Sequence, residues 1–140
     1  MNLNNMISIV LSTPEKEFYK GDAKKVTIST ASGEISVLAG HEPLMTVVES
    51  GQIVIEDKEN KKEIYSAFSG VVNIENSRGK TNVIILLENS EDVRDLDEKT
   101  LQESVNRAME ANKEKPEDMI ETNIGLLRDM NKLRLTRRYK

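Results

Sequence analysis

Cysteine and tryptophan are absent from the 140-residue sequence, and aromatic residues make up only 4% of it. The lack of cysteine excludes disulfide bonds, thiolate metal ligands and a cysteine nucleophile. The lack of aromatic rings means that any core must be aliphatic. No apolar run approaches the roughly 20 residues that a membrane-spanning helix needs. The first residues have neither the basic region nor the apolar length of a signal peptide, so we expect them to lead directly into a strand.

Histidine is nearly absent too, since His41 is the only one. A single histidine cannot build a multi-histidine metal site. Ser69-Gly70 lacks the first glycine of a nucleophile elbow, and the sequence contains no P-loop or dinucleotide fingerprint. The acidic stretch "EDVRDLDE" lacks the ligand pattern of an EF-hand loop. We therefore predict no catalytic residues, no metal site and no bound cofactor.

Charge is distributed unevenly along the chain. The net charge is -4, but residues 126–140 carry six basic and one acidic side chain, or +5, so residues 1–125 sum to -4 - 5 = -9. A basic end on an acidic body is typical of docking onto an acidic surface. The alternative is a solvated helix end, where lysine and arginine favour the helix dipole.

A strand-like pattern runs from residue 6 to about residue 87. Val26 and Ile28 alternate with polar neighbours, as do Ile53 and Ile55, which is the period of strands with one buried face. Further apolar runs are "MISIVL", "EIYSAF", "VVNI" and "NVIILL". The turn-forming clusters between the runs are "YKGD", "ASGE", "DKENKKE" and "ENSRGK". Short strands at this spacing predict an all-β sandwich or barrel.

Helical periodicity replaces this pattern after Glu88. Asp95 and Glu98 are spaced as a capping box at a helix start, with Asp97 as an alternative cap. Pro116 suits the first position of a second helix. One apolar face is predicted on each helix, formed by Leu101, Val105, Ala108 and Met109 in the first and by Ile120, Ile124, Leu127 and Met130 in the second. The second face is widened by Met119, Leu126 and Leu133.

We therefore predict an α+β protein. Residues 1–88 form an all-β flattened sandwich or barrel, and residues 89–140 form an antiparallel two-helix hairpin. Such a hairpin buries little surface alone, so we expect it to pack on the β domain or on another protein.

An interaction or structural subunit fits this composition better than an enzyme. The runner-up is a small β-domain protein whose basic C-terminal helix binds nucleic acid through phosphate contacts. Against it, the few aromatic residues are not interleaved with the basic ones, and the β half is acidic.

The stretch "GEISVLAGHEPLMTVVESGQIVI" resembles the signature of the epsilon subunits of F-type ATP synthases, with glycine, histidine, proline and leucine in the same order. "FSGVVNI" and "NVIILLENSE" resemble later strands of that family, and "DLDE" its entry into two C-terminal helices. The resemblance covers essentially the whole chain. The residues that match the signature are Gly33, Glu34, Gly40, His41, Pro43, Leu44, Thr46, Gly51 and Ile53.

This resemblance implies a non-catalytic rotor subunit in the central stalk, which couples ion flow through the membrane ring to ATP synthesis. The implied partners are the gamma subunit, the ring of c subunits and the alpha/beta catalytic hexamer. The helices of such subunits fold down or extend, and in many bacteria the extended form inhibits ATP hydrolysis. We expect a peripheral protein on the cytoplasmic face of the bacterial cell membrane, with membrane contact only through the complex and no nucleic acid partner.

The resemblance also assigns residues to roles. The turn "AGHEPL" is expected to present a subunit interface, with His41 as a hydrogen-bonding or interface residue and Glu34 facing the ring. The predicted interface residues are Gly33, Glu34, Gly40, His41, Pro43 and Leu44. The cations expected to meet acidic side chains of the beta subunits are Arg128, Lys132, Arg134, Arg137 and Arg138.

Two departures from the family pattern have consequences. Ala39 stands where many members have proline, which loosens the turn. Members that bind ATP carry Ile/Leu-Asp-x-x-Arg-Ala in the first helix, and here Thr100 and Leu101 replace the arginine and alanine. Because arginine is the side chain best suited to a phosphate, we expect ATP binding in the helices to be weak or absent, unless Arg107 or Arg128 substitutes.

Overall fold

The computed structural model describes residues 5–114 and 119–140. The chain divides into two compact units, Met1–Asp92 and Val93–Lys140. The first unit consists of strands and the second of helices.

Seven strands form one continuous sheet in the first unit. Their order across the sheet is β2-β1-β7-β6-β5-β3-β4. β1 pairs in parallel with β7, and all other neighbours are antiparallel. The strands are β1 (Ile7–Ser12), β2 (Glu17–Ala23), β3 (Lys25–Thr30), β4 (Gly33–Val37), β5 (Leu44–Glu56), β6 (Lys62–Ser77) and β7 (Lys80–Asn89).

The sheet folds over on itself as a flattened sandwich. β1 and β3 lie four steps apart in the strand order, which is roughly 19 Å in a flat sheet, yet both contribute to the same buried core. The two halves of the sheet therefore face each other. The core is aliphatic apart from Tyr65, as the composition predicts, and Phe18 packs edge-on against that ring at 6.1 Å between centroids.

Alternating burial confirms the strand pattern, with two corrections. "YKGD" was predicted as a turn but lies inside β2, because those residues pair with β1. "EIYSAF" and "VVNI" were predicted as separate strands but belong to the single strand β6. Ser69 has a φ of 51° between the two runs, so the strand is irregular there without ending.

Gly70 follows this irregularity and is required by close packing. A Cβ atom at this position would collide with the carbonyl oxygen of Leu86 on β7. Only glycine lets the two strands approach this closely. The Ser69-Gly70 pair is therefore structural, which agrees with the absence of a nucleophile elbow.

The second unit is a helical hairpin. A short 3₁₀ turn (Val93–Asp95) precedes α1 (Glu98–Glu114) and α2 (Met119–Tyr139). Side-chain contacts join Glu98 to Arg137 and Ser104 to Asp129, so the helices run antiparallel, as predicted. The predicted role of Pro116 lies outside the described residues.

Asp97, the alternative cap, is the residue that caps α1. Its carboxylate accepts the backbone N–H of Lys99 at 3.3 Å and the hydroxyl of Thr100 at 2.7 Å. Asp95 lies in the 3₁₀ turn instead. The hydrogen bond from Thr100 is the main reason that the pKa of Asp97 lies below its usual range.

The apolar face predicted for the second helix is largely exposed. Ile124, Leu127 and Met130 are each more than 40% exposed, whereas the next turns bury Leu133 and Leu135 together with polar residues. The buried polar residues of α2 are Asn131, Lys132 and Thr136. Leu133, which was predicted to widen this face, is buried, so the helix packs through the later turns of the predicted stripe together with polar residues. The side chains of Met119 and Ile120 lie outside the described residues.

The division between the units falls after Asp92, whereas the change of period predicted it after Glu88. Ser90 donates to the carbonyl oxygen of Ser66 at 2.7 Å, and the backbone groups of Glu91 bond both the backbone N–H and the hydroxyl of Ser66. Asp92 forms a bridge with Tyr65. These bonds attach residues 89–92 to the sandwich.

Candidate functional site

The turn around His41 is tightly defined by its backbone. The N–H of His41 donates to the carbonyl oxygen of Leu38 at 3.1 Å, and Gly40 has a φ of 89°. This is the pattern of a type II turn, which requires a positive φ at its third residue and favours proline at its second. Ala39 occupies that second position. The turn therefore explains why glycine stands at position 40.

Two side chains from the hairpin between β6 and β7 hold this turn. The N–H of Gly40 donates to the hydroxyl of Thr81 at 2.8 Å. That hydroxyl donates to Oδ1 of Asn76 at 2.7 Å, and Nδ2 of Asn76 donates to the carbonyl oxygen of His41 at 2.9 Å. We call these three bonds the turn clamp. Asn76 and Thr81 were not identified from the sequence, where they lie 35 and more residues from the turn.

The ring of His41 has a local partner. Its Nδ1 lies 2.6 Å from the carbonyl oxygen of Glu42, which is the geometry of a hydrogen bond within the turn. The ring is half-buried. Within the described residues, no group of three or more acidic, histidine or cysteine side chains is arranged to hold a metal ion. The geometry agrees with a role in the turn.

The other predicted interface residues lie on neighbouring elements of the same unit. Gly33 and Glu34 begin β4, paired with Thr30 and Ser29 of β3, and both are exposed. Pro43 is exposed in the loop, and Leu44 is the exposed first residue of β5. The structure thus places all six predicted residues on one strand, one loop and the start of the next strand.

An apolar surface lies on the outer face of the sheet, where polar residues are expected. Two rows of cross-strand neighbours form it: Met45, Asn73 and Ile84 in one row, and Val47, Val71 and Leu86 in the other. Met45 is 72% exposed, and Val47 and Leu86 about half. We call Met45, Val47, Val71, Ile84 and Leu86 the outer patch. Contiguous exposed apolar surface marks a site for another protein.

The outer patch continues across β1 to a groove. Val10 and Ser12 of β1 are the register partners of Ile84 and Leu86. The groove is lined by Ser12, Thr13, Pro14, Leu86, Leu87 and Glu88. The outer patch was not predicted, although residues 84–87 are apolar without a break, as are residues 71 and 72. Both faces of β6 and β7 therefore carry apolar side chains.

The predicted cations on α2 do not form one exposed face. Lys132 is only 7% exposed. Arg137 is exposed but bonded to α1, donating to Glu98 at 2.9 Å and to Gln102 at 2.7 Å. Arg134 is exposed and donates to Asn131, and Arg138 is exposed beside Tyr139. Arg128 is half-buried.

A second cation, Lys140, forms hydrogen bonds at the end of the hairpin where α2 ends and α1 begins. Nζ of Lys140 donates to the carbonyl oxygens of Leu96 at 2.8 Å and Arg94 at 3.1 Å. The end of α2 is therefore attached to the start of α1 by Arg137 and to the 3₁₀ turn by Lys140.

The structure is matched by a known protein family. The model of the family described as "ATP synthase, Delta/Epsilon chain, beta-sandwich domain" matches residues 6–92. The chain belongs to the ATP synthase delta/epsilon family. The matched residues coincide with the first structural unit.

Bacterial members of the family extend the similarity into the helices. The chain is 26% identical to the ATP synthase epsilon chain of Alkalilimnicola ehrlichii over 140 residues, covering 96% of this chain and 97% of that one. It is 32% identical to the epsilon chain of Persephonella marina over 108 residues, 75% and 76% of the two chains. Epsilon chains are non-catalytic stalk subunits, so membership confirms the predicted family and the prediction that the chain is not itself an enzyme.

Solved structures show the same fold for the whole chain. A chain of the Euglena gracilis mitochondrial ATP synthase, in a structure of its OSCP/F1/c-ring, matches with a TM-score of 0.77 at 22% identity, covering 94% of this chain and 81% of that one. A chain of the Tetrahymena thermophila enzyme, from its central stalk and c-ring, matches at 0.51 and 17% identity over 64% and 68%. Among the described residues, no helix has the length and apolarity to span a bilayer.

Proposed function

We propose that this chain is a rotor subunit in the central stalk of an F-type ATP synthase, where it couples ion flow through the membrane ring to ATP synthesis. Its place would be on the cytoplasmic face of a bacterial membrane, held there by the complex. The observation that carries the proposal is the outer patch, an exposed apolar surface on a sandwich of the delta/epsilon family.

The proposed occupant of the outer patch is the gamma subunit. The patch spans β5, β6 and β7 and is continuous with the groove beside β1. An extended partner with apolar side chains would bury these rows and expel their water. The exposed start of β4, with Gly33 and Glu34, is proposed to face the c-subunit ring, as the family resemblance implies.

Binding of the full chain to a purified gamma–alpha–beta complex tests this proposal. We expect Val71→Asp to weaken binding by roughly a hundredfold or more, because it buries a charge at the centre of the interface. Thr27→Asp is the matched control, since Thr27 lies on the outer face of β3 and is not in the patch. Equal affinities of the two variants would contradict the proposal. Co-purification with RNA instead would favour nucleic acid binding.

Inhibition of ATP hydrolysis is proposed for the helical hairpin. Of the five predicted cations, Arg134 and Arg138 are the most accessible in the hairpin as it stands, because Lys132 is buried, Arg128 is half-buried and Arg137 is bonded to Glu98. Acidic side chains of the catalytic beta subunits would be their partners in an extended form. Release of Arg137 and Lys132 would accompany any such extension.

The assembled enzyme tests this inhibition. An exposed ion pair contributes about 0.2–1 kcal/mol, so we expect Arg134→Ala with Arg138→Ala, which removes two such pairs, to raise the ATP hydrolysis rate roughly two- to thirtyfold. The matched control replaces the exposed Lys58 and Lys62 of the sandwich by alanine. Equal rates at equal subunit content would remove the inhibitory role from these cations.

Weak or absent ATP binding is also proposed for the hairpin. Thr100, which stands in the place of the family's arginine, already donates its hydroxyl to the Asp97 cap. Titration calorimetry of the full chain tests this. A dissociation constant in the low micromolar range, about -8 kcal/mol, would overturn the proposal and direct attention to Arg107 and Arg128 as phosphate ligands.

A further inference from the structure

The turn clamp joins two parts of the molecule that are far apart in sequence. Gly40 and His41 lie in the loop that leads into β5, and Asn76 and Thr81 are cross-strand partners at the ends of β6 and β7. All three strands carry the outer patch. The clamp therefore connects the loop at one end of the patch to the two strands that form the rest of it.

The three hydrogen bonds of the turn clamp together fix which atom donates and which accepts in each bond. The Thr81 hydroxyl accepts from Gly40 and can then only donate to Asn76. That bond faces Oδ1 of Asn76 toward Thr81, so its NH₂ group faces the carbonyl oxygen of His41. The N–H of Gly40 and the carbonyl oxygen of His41 are thus each hydrogen-bonded by a side chain. Thr81 is 3% exposed, so water cannot readily replace its hydroxyl.

The position of the turn determines where the exposed apolar side chains next to it lie. Leu38 begins the turn and is 47% exposed, and Met45, four residues after His41, is the most exposed member of the outer patch. An apolar surface binds well only when its parts are held in one arrangement before binding, because ordering them on association costs affinity.

We propose that Asn76 and Thr81 are positioning residues for partner binding: they hold the Gly40-His41 turn in the arrangement in which the loop and the outer patch form one surface. This inference rests on the proposed function of the patch. Neither residue needs to touch the partner, since each acts through the backbone of the turn. The clamp also gives Thr81 a reason to be polar at a buried strand position.

Four variants of the full chain test the clamp. Thr81→Val keeps the shape of the side chain and removes the hydroxyl, and Thr81→Ser keeps the hydroxyl. Asn76→Ala removes the bonds to the Thr81 hydroxyl and to the His41 carbonyl but leaves the bond from Gly40 to Thr81. Because Asn76 lies at an exposed position, this variant tests the clamp even if Thr81→Val impairs folding. Thr27→Val is the matched control, a threonine of β3 outside the clamp.

Two measurements are made on each variant: hydrogen exchange at the Gly40 amide, and affinity for the purified gamma–alpha–beta complex. Thr81→Val should speed Gly40 exchange about tenfold, the loss of one hydrogen bond, and should weaken binding several-fold. Asn76→Ala should weaken binding by less than Thr81→Val. Thr81→Ser and Thr27→Val should leave both measurements close to those of the parent chain.

The outcomes separate the two proposals. Faster Gly40 exchange with unchanged affinity would overturn the positioning role and leave the proposed function standing. Unchanged Gly40 exchange in Thr81→Val would overturn the clamp itself. If the parent chain failed to bind the complex, the proposed function would be contradicted, and the positioning role with it.

Discussion

The sandwich and the helical hairpin differ in how far they bury their apolar side chains. The sandwich buries a continuous, mainly aliphatic core to which all seven of its strands contribute, with Ile7, Ile9 and Leu11 fully covered. In the hairpin, Leu127 on the apolar stripe of α2 is 56% exposed while Lys132 is buried. The sandwich is stabilised mainly by burial, whereas the hairpin depends more on caps, ion pairs and hydrogen bonds.

This difference predicts different responses to the loss of an apolar side chain, which is the largest effect that we expect. Ile53 is fully buried between Ile28 and Tyr65, its partners on the neighbouring strands. We expect Ile53→Ala to lower the free energy of unfolding by about 2–5 kcal/mol and Leu127→Ala by less than about 0.5 kcal/mol. Urea denaturation followed by circular dichroism measures both. Similar losses would show that the stripe on α2 is buried in solution.

Truncation tests where the sandwich ends. Chains that stop at Glu88 or at Asp92 should both fold, but the shorter one lacks Ser90 and Glu91 and their three hydrogen bonds to Ser66. At about 1 kcal/mol for each bond, we expect the shorter chain to be less stable by roughly 3 kcal/mol. Equal denaturation midpoints would place the boundary at the change of sequence period instead.

The turn at Gly40 offers a stabilising change and a matched destabilising one. Ala39→Pro should raise the free energy of unfolding by about 0.4–1 kcal/mol, because proline suits the second position of a type II turn and restricts the unfolded chain. Gly40→Ala should lower it by about 1–2 kcal/mol, because φ is 89° there. Thermal melts compare the two. A destabilising Ala39→Pro would contradict the turn type.

The smallest effect concerns the start of α1 and depends on pH. The pKa of Asp97 is lowered in the folded state, chiefly by the hydrogen bond from Thr100, so its carboxylate stabilises the helix at neutral pH. That contribution is complete above the unfolded pKa, about 3.9, and is lost as the pH falls through the lower folded value. Asp97→Ala should reduce helix stability at pH 7 and remove this acid-dependent loss.

Asp95→Ala is the control for the cap, since Asp95 was the other candidate and lies in the 3₁₀ turn before the helix. Asp95→Ala should leave the melting midpoint of the helical circular dichroism signal at 222 nm nearly unchanged. Asp97→Ala should lower that midpoint by a small, measurable amount. A larger effect from Asp95 would reassign the cap.

Much of the fold followed from local patterns. Alternation at Val26 and Ile28 predicted strands, and a loss of that period near Glu88 predicted the helices, because each pattern reflects one buried face. The continuity of β6 was missed because Ser69-Gly70 has the composition of a turn, while the pairing of Gly70 with Val48 of β5 and Leu87 of β7 keeps the strand in the sheet. Tertiary pairing outweighed local preference there.

The site was harder to predict, for a related reason. The signature turn was recognised by its own residues, but its holders, Asn76 and Thr81, act across 35 to 41 residues of sequence. No local rule connects them. Likewise, the cations on α2 were predicted to act as one group, and only the packed hairpin shows that Arg137 is paired with Glu98 and that Lys132 is buried.

The parallel pairing of β1 with β7 has a consequence for folding during synthesis on the ribosome. Ile7 is the register partner of Thr81, 81 - 7 = 74 residues later. At roughly 5–20 residues per second of synthesis, the first strand waits about 4–15 seconds for the last one to emerge. During that interval its apolar residues and one hydrogen-bonding edge lack their final neighbour, so this is the period in which the nascent chain most needs a chaperone.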